Sequence, residues 1–138
     1  INARVLIQSL RAHSTEEDII AIIPKVVPGA NTPEAPLTAL ANEGVKVVHT
    51  EPIDMPEAMS KDPIIMKRWA GVMNKFVIFG FEDYTQIALI DTDAVFSPEG
   101  DHPSSVFDAC NADLCAVQDG DSRFINAGFM VARPSKKR

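Results

Sequence analysis

Four consecutive apolar residues, Ile87-Ala88-Leu89-Ile90, run directly into Asp91-Thr92-Asp93, and no other stretch limits the fold as tightly. An unbroken apolar run of this length suits a strand covered on both faces, the kind found in α/β sheets with helices packed over them. In an extended chain, residues two apart point to the same side, so Asp91 and Asp93 are expected to project together from the strand's carboxyl end. Two carboxylates held side by side repel each other and lose hydration, and a cation between them relieves both costs. From the triplet alone, a divalent-metal site and a helix or turn cap are equal readings.

The flanking chain supplies the context. Ala3, Leu6, Ile7 and Leu10 form one helical stripe, so a helix is expected over 3–13. Ile19 to Ile23 is a β-branched run stopped by Pro24 and reads as a strand. Thr32-Pro33-Glu34 opens a second helix with an N-cap, a first-position proline and a first-turn acid, and Gly44 is placed to end it. Val45 to Val48 is the next strand. This α-β-α-β order implies a mostly parallel sheet with flanking helices. Residues 53–68 read as loop and short helix. Val72 to Tyr84 reads as a helix with two apolar stripes, which Gly80 weakens near its end. Beyond the acidic triplet come a Pro- and Gly-bearing loop over 97–104, a short helix at Val106–Cys110, a strand at Leu114–Val117, a turn at Gln118–Asp121 and a last strand at Phe124–Ala132.

Composition narrows the function. The net charge of −6 gives no electrostatic footprint for nucleic acid, and Lys136-Lys137-Arg138 reads as a solvated terminal run. No apolar run approaches the ~20 residues of a membrane span. Cys110 and Cys115 are too few for a disulfide framework and lack zinc spacing. Buried free thiols are the expectation, with a local disulfide as the alternative. There is no Ser-centred elbow, Walker loop or G-x-G-x-x-G, which argues against a serine hydrolase, a P-loop enzyme and a dinucleotide dehydrogenase. The chain opens Ile-Asn-Ala-Arg without a methionine, and the reading is of a piece of a longer protein.

Several residues near the triplet have chemical potential. Ligands of open α/β sheets bind beyond the carboxyl ends of the strands, where Asp91 and Asp93 are expected to lie. Asn126-Ala127-Gly128 interrupts an apolar strand. Asn126 must find hydrogen-bond partners, and Gly128 marks either a bulge or a close approach by ligand or backbone. Asp119 precedes Gly120 and fits a turn as well as a site. Lys75, Arg68 and Lys67 are cations of the kind that phosphates need, and each also fits a solvated surface charge. His49 and His102 lack metal-ligand spacing and read as ordinary strand-end or loop residues.

Taken together, Asn74-Lys75-Phe76, Phe81-Glu82-Asp83-Tyr84, Ile87 to Asp93, and Phe124-Ile125-Asn126-Ala127-Gly128-Phe129-Met130-Val131 with Pro134-Ser135 resemble the glycogenin and galactinol synthase family of glycosyltransferases (family eight). Ser9-Leu10-Arg11, Asp18-Ile19-Ile20 and Gly44 to Val48 match that family's opening elements, so the resemblance covers nearly the whole chain. It implies a GT-A nucleotide-diphospho-sugar transferase fold, here as a single partial domain over 1–138 that holds the donor-binding half. It implies hexosyl transfer from a UDP-sugar to an acceptor with retention of configuration, using Mn²⁺ or Mg²⁺. By position, Asp91 and Asp93 would hold the metal, and Thr92 would lie near the ribose. Lys75 would approach the phosphate or donor sugar, with Arg68 as a looser donor-side cation. Asp119, Asn126, Ala127 and Gly128 would face the sugar hydroxyls, which makes Lys75, Asp119 and Asn126 the catalytic candidates.

The sequence departs from that pattern in three ways. The family's uracil-binding first strand would precede Ile1. Its third metal ligand, usually a His, would follow Arg138. Ile125 is inserted between Phe124 and Asn126. A second function class is therefore carried alongside the first: a non-catalytic glycosyltransferase-like domain that serves as a scaffold or assembly subunit with protein partners. Cytoplasm and Golgi lumen fit equally.

Overall fold

The computed structural model describes residues 2–25, 34–54, 72–120 and 124–135. Within them the protein is mixed α/β, with one two-stranded parallel sheet and one three-stranded antiparallel sheet. The contacts fall into two compact units. One joins the first 17 residues to the chain from Ile78 onward, and the other is the intervening Asp18–Val77.

In the intervening unit, β1 (Ile20–Pro24) pairs in parallel with β2 (Lys46–Thr50), and α2 (Glu34–Asn42) connects them. This is the expected β-α-β order. Pro24 does not stop the strand but forms its last rung, opposite Thr50. The N-cap expected at Thr32 lies outside the described residues. The far end of α2 is explicit. Gly44 adopts φ 76°, its N–H donates to Ala41 O at 3.0 Å, and Val45 N–H donates to Leu40 O at 3.1 Å. Those two bonds and the left-handed glycine make a Schellman cap, which satisfies carbonyls the helix itself cannot reach.

The other unit begins with α1 (Asn2–Ala12), whose Leu6, Ile7 and Leu10 are buried as the apolar stripe predicted. Ser14 follows at φ 55°, a conformation that L-residues with a Cβ seldom adopt. The Thr15 hydroxyl donates to Leu10 O at 2.8 Å, so a side chain takes up that carbonyl at the helix end. The remaining elements are β3 (Ile87–Ile90), α3 (Ser105–Ala109), β4 (Leu114–Gln118) and β5 (Ile125–Ala132). The core of this unit centres on the fully buried Ile78 and Met130, with Val131, Ala132 and Cys110 beside them in the buried set.

Three expectations are corrected here. The mostly parallel sheet holds only for β1 and β2. β3 and β4 do run in the same direction through α3, but β5 returns between them and pairs antiparallel with both. An apolar run reports burial and carries no information about strand direction. Second, the helix expected over 72–84 is a 3-10 helix, Val72–Gly80. Phe76, Val77, Ile78 and Phe79 are aromatic or β-branched, and such residues give an α-helix little intrinsic support. Third, Cys110 and Cys115 are joined as a disulfide rather than being free thiols. The turn after α3 returns the chain so that their Cα atoms stand 5.8 Å apart, within bridging range.

That disulfide ties the end of α3 to edge strand β4. The carbonyl of Cys110 also accepts from Gln86 Nε2 and Arg133 Nη2, both at 3.3 Å, so one residue braces the entry to β3 and the exit from β5. A short covalent loop of this kind contributes about 2 kcal/mol in the chain-entropy account. Urea denaturation of the reduced protein should show a loss of about that size relative to the oxidised protein. Cys115→Ser should match the reduced protein and respond no further to reductant.

Candidate functional site

The last rung between β3 and β5 pairs Ile90 with Phe129, and Asp91 N–H continues the ladder by donating to Gly128 O at 2.8 Å. The chain then turns. Ala94 N–H donates to Asp91 O at 3.1 Å, which closes a β-turn with Thr92 and Asp93 as its central residues. Strand alternation therefore stops at Ile90 and does not govern the acid pair as the sequence suggested. Asp91 is half-buried against the sheet end, while Thr92 and Asp93 are exposed on the turn.

β5 reaches this turn through a bulge. Ala116 opposes Met130, yet the next residue of β4, Val117, opposes Asn126, which leaves Ala127, Gly128 and Phe129 out of the β4 register. Such insertions bend a strand and re-aim its side chains. Asn126 Oδ1 accepts the Gly128 N–H at 2.7 Å, a side-chain-closed turn that holds the bulge in shape. The segment is a bulge, as one reading had it, but Asn126 is exposed and not a core residue; the groups that come close to Gly128 are the Asn126 and Asp91 side chains. A Cβ on Gly128 would stand 2.8 Å from Asn126 Oδ1 and 3.1 Å from Asp91 Oδ2. Glycine is favoured there by space and not by backbone conformation, since its φ is not in the left-handed range.

The structure thus brings Asp91, Asn126 and Gly128 together, with half-buried Ala127 between the last two. Asp119 lies on the same hairpin. Its N–H donates to Phe124 O at 3.0 Å and its Oδ1 accepts from Gly120 N at 2.8 Å, so its turn role is real. Lys75 is half-buried in the part of the 3-10 helix that belongs to the Asp18–Val77 unit. Arg68 and Lys67 lie outside the described residues. Asn74, beside Lys75, accepts the Ile53 N–H on its Oδ1 at 2.8 Å.

The segment after the triplet is fastened to the end of α1. Phe96 N–H donates to Ser9 Oγ at 3.1 Å, His13 Nε2 to Ser97 O at 2.9 Å, and His102 Nε2 to His13 O at 2.7 Å. His102, read from sequence as an ordinary loop residue, is a clasp, and spacing could not reveal a partner that far along the chain. Beside it lies an open polar cavity of about 240 Å³ lined by Ser14, Glu16, Glu17, His102 and Ser104. The neighbouring Ser104 hydroxyl holds the Glu17 carboxyl below its ordinary range.

As a cation site, the triplet supplies two carboxylates. Among the described residues no group of three or more His, Cys, Asp or Glu converges. Two carboxylates still suit Mg²⁺ or Mn²⁺, which complete their shells with water and substrate phosphate oxygens. No known family model matches the chain, and no curated protein is significantly similar to it.

Gly128→Ala should cost about 1–2 kcal/mol, because the new methyl displaces the Asn126 side chain from the Gly128 N–H. Gly80→Ala, where a Cβ meets nothing within 4 Å, serves as the control and should be close to neutral in the same denaturation series. Glu17 gives a pH signature. Its folded pKa is lowered from 4.5, so its contribution is present above that value and is lost as pH falls through the lower, folded one. Denaturation midpoints of wild type and Glu17→Gln should therefore differ above 4.5 and converge as pH falls below it.

Proposed function

We propose that the chain is the donor-binding part of a GT-A glycosyltransferase that moves a hexose from a UDP-sugar with retention. The observation that supports this most is the meeting of Asp91, Asn126 and Gly128 at the carboxyl end of β3. These residues come from two motifs that resemble the same family, and chain folding places them around one point. In this reading Asp91 and Asp93 hold the metal, and Thr92 lies near the ribose.

The chemistry requires charge to be stabilised where it develops. As the C1–O bond to UDP breaks, negative charge gathers on the diphosphate, and groups placed there lower the barrier because they bind the transition state more tightly than the ground state. A bound Mn²⁺ or Mg²⁺ supplies that positive charge. Asp91 is suited to anchoring because its backbone is fixed to Gly128, whereas exposed Asp93 can adjust to the ligand. Asn126 and Asp119 read hydroxyls, and a site with such polar groups rejects analogues that leave them unpaired.

Titration calorimetry with UDP tests the metal bridge. Wild type should bind in Mn²⁺ and lose most affinity when the metal is chelated, and Asp93→Ala should lower affinity at least about tenfold. Equal affinity with and without metal would sink the proposal. Slow hydrolysis of one member of a UDP-glucose, UDP-galactose and UDP-xylose panel is expected in the same buffer.

A further inference from the structure

His102 is held at both ring nitrogens, and its two partners fix the charge of the ring. Its Nε2 stands 2.7 Å from His13 O, and a carbonyl oxygen can only accept, so Nε2 carries a hydrogen. Its Nδ1 stands 3.3 Å from Ser104 N, and a backbone N–H can only donate, so Nδ1 carries a lone pair. These bonds admit one form, the neutral imidazole with its hydrogen on Nε2. His13 is under no such constraint. Its Nε2 donates to Ser97 O at 2.9 Å, and among the described residues nothing bonds its Nδ1, so the charged ring keeps its bond.

The surroundings offer the His102 ring a second partner. Glu16 and Glu17 line the same open polar cavity of about 240 Å³ from the turn after α1. Glu17 Oε2 is buried and has no hydrogen-bond donor among the described residues, and the two side chains attract each other when His102 is charged. The His13 ring meets His102 edge-on with centroids 6.3 Å apart, so two charged rings would repel. Glu99 and Asp101 are the acids of its own loop, and both are exposed.

We propose that His102 is a proton-operated latch. Neutral, it ties the end of α1 to the chain entering α3. When a proton from solvent reaches Nδ1, that N–H confronts the Ser104 N–H and the bond between them is lost. The ring then turns into the cavity, releases His13 O and donates to Glu17, which stays a carboxylate. Imidazoles take up their proton as pH falls from about 8 to about 5. The latch acts on the segment that leaves the Asp91–Asp93 turn, because Phe96 and Ser97 are fastened to the same helix through Ser9 and His13. It does not depend on the UDP-sugar reading.

The test is nitrogen-15 NMR of wild type, His102→Asn and Glu17→Gln between pH 8 and pH 5. Asparagine keeps an acceptor two residues before Ser104 and takes up no proton. At pH 8 the His102 ring of wild type should carry its hydrogen on Nε2. As pH falls, the amide signals of Ser104 and of Ser14, which shares a peptide group with His13 O, should move together on the curve of the His102 ring. His102→Asn should abolish both movements. Glu17→Gln should shift the transition to lower pH, because the charged ring loses its carboxylate partner. A hydrogen on Nδ1 at pH 8 would overturn the latch, as would Ser104 and Ser14 amides that stay still while His102 titrates. So would movement that survives in His102→Asn or a transition that Glu17→Gln leaves in place.

Discussion

Much of the candidate site depends on one close approach. Gly128 stands where β5 leaves its pairing with β4, and three groups meet it there: the Asp91 N–H on its carbonyl, the Asn126 amide oxygen on its N–H, and the Asp91 carboxylate beside its Cα. A side chain at that position would have to push the Asn126 amide aside. The bulge aims Asn126, the ladder bond fixes Asp91, and the turn carrying Thr92 and Asp93 starts from that fixed point. The half-buried backbone of Asp91 and Gly128 is satisfied here by these bonds.

This arrangement also shows what the antiparallel strand adds to the candidate site. A sheet built only by β-α-β crossovers would place loops alone beyond the end of β3. With β5 inserted between β3 and β4, a second strand passes the acidic turn and brings an amide and a hairpin to it. The hairpin face with Asn126 carries polar and apolar residues together.

The sequence was most legible where a periodic pattern met a stop signal. The stripe of α1, the run Ile87–Ile90 and the Gly44 cap each follow from local chemistry. Other features were not legible because they depend on distant partners. Periodicity has no direction, so β5 could not be read as antiparallel. Phe76 to Phe79 carry an apolar repeat whose side chains also suit a tighter helix. Extended alternation placed Asp91 and Asp93 on one side, but a turn begins at Asp91. Asn126 and Gly128 were singled out as a break in an apolar strand, and no local signal paired them with a residue before the hairpin. The Cys110–Cys115 bond depended on a turn that composition does not specify.

The order of the two units along the chain affects how the protein can be made. The Asp18–Val77 unit is continuous, whereas its neighbour is assembled from the first 17 residues and everything after Ile78. During synthesis the continuous unit can close as soon as it emerges. Helix α1 must meanwhile keep Leu6, Ile7 and Leu10 uncovered until residues from the later part of the chain arrive. Exposed apolar surface of that kind is what chaperones recognise and what aggregates when left waiting. Helix α1 thus precedes the continuous unit in the chain and finds its place after it.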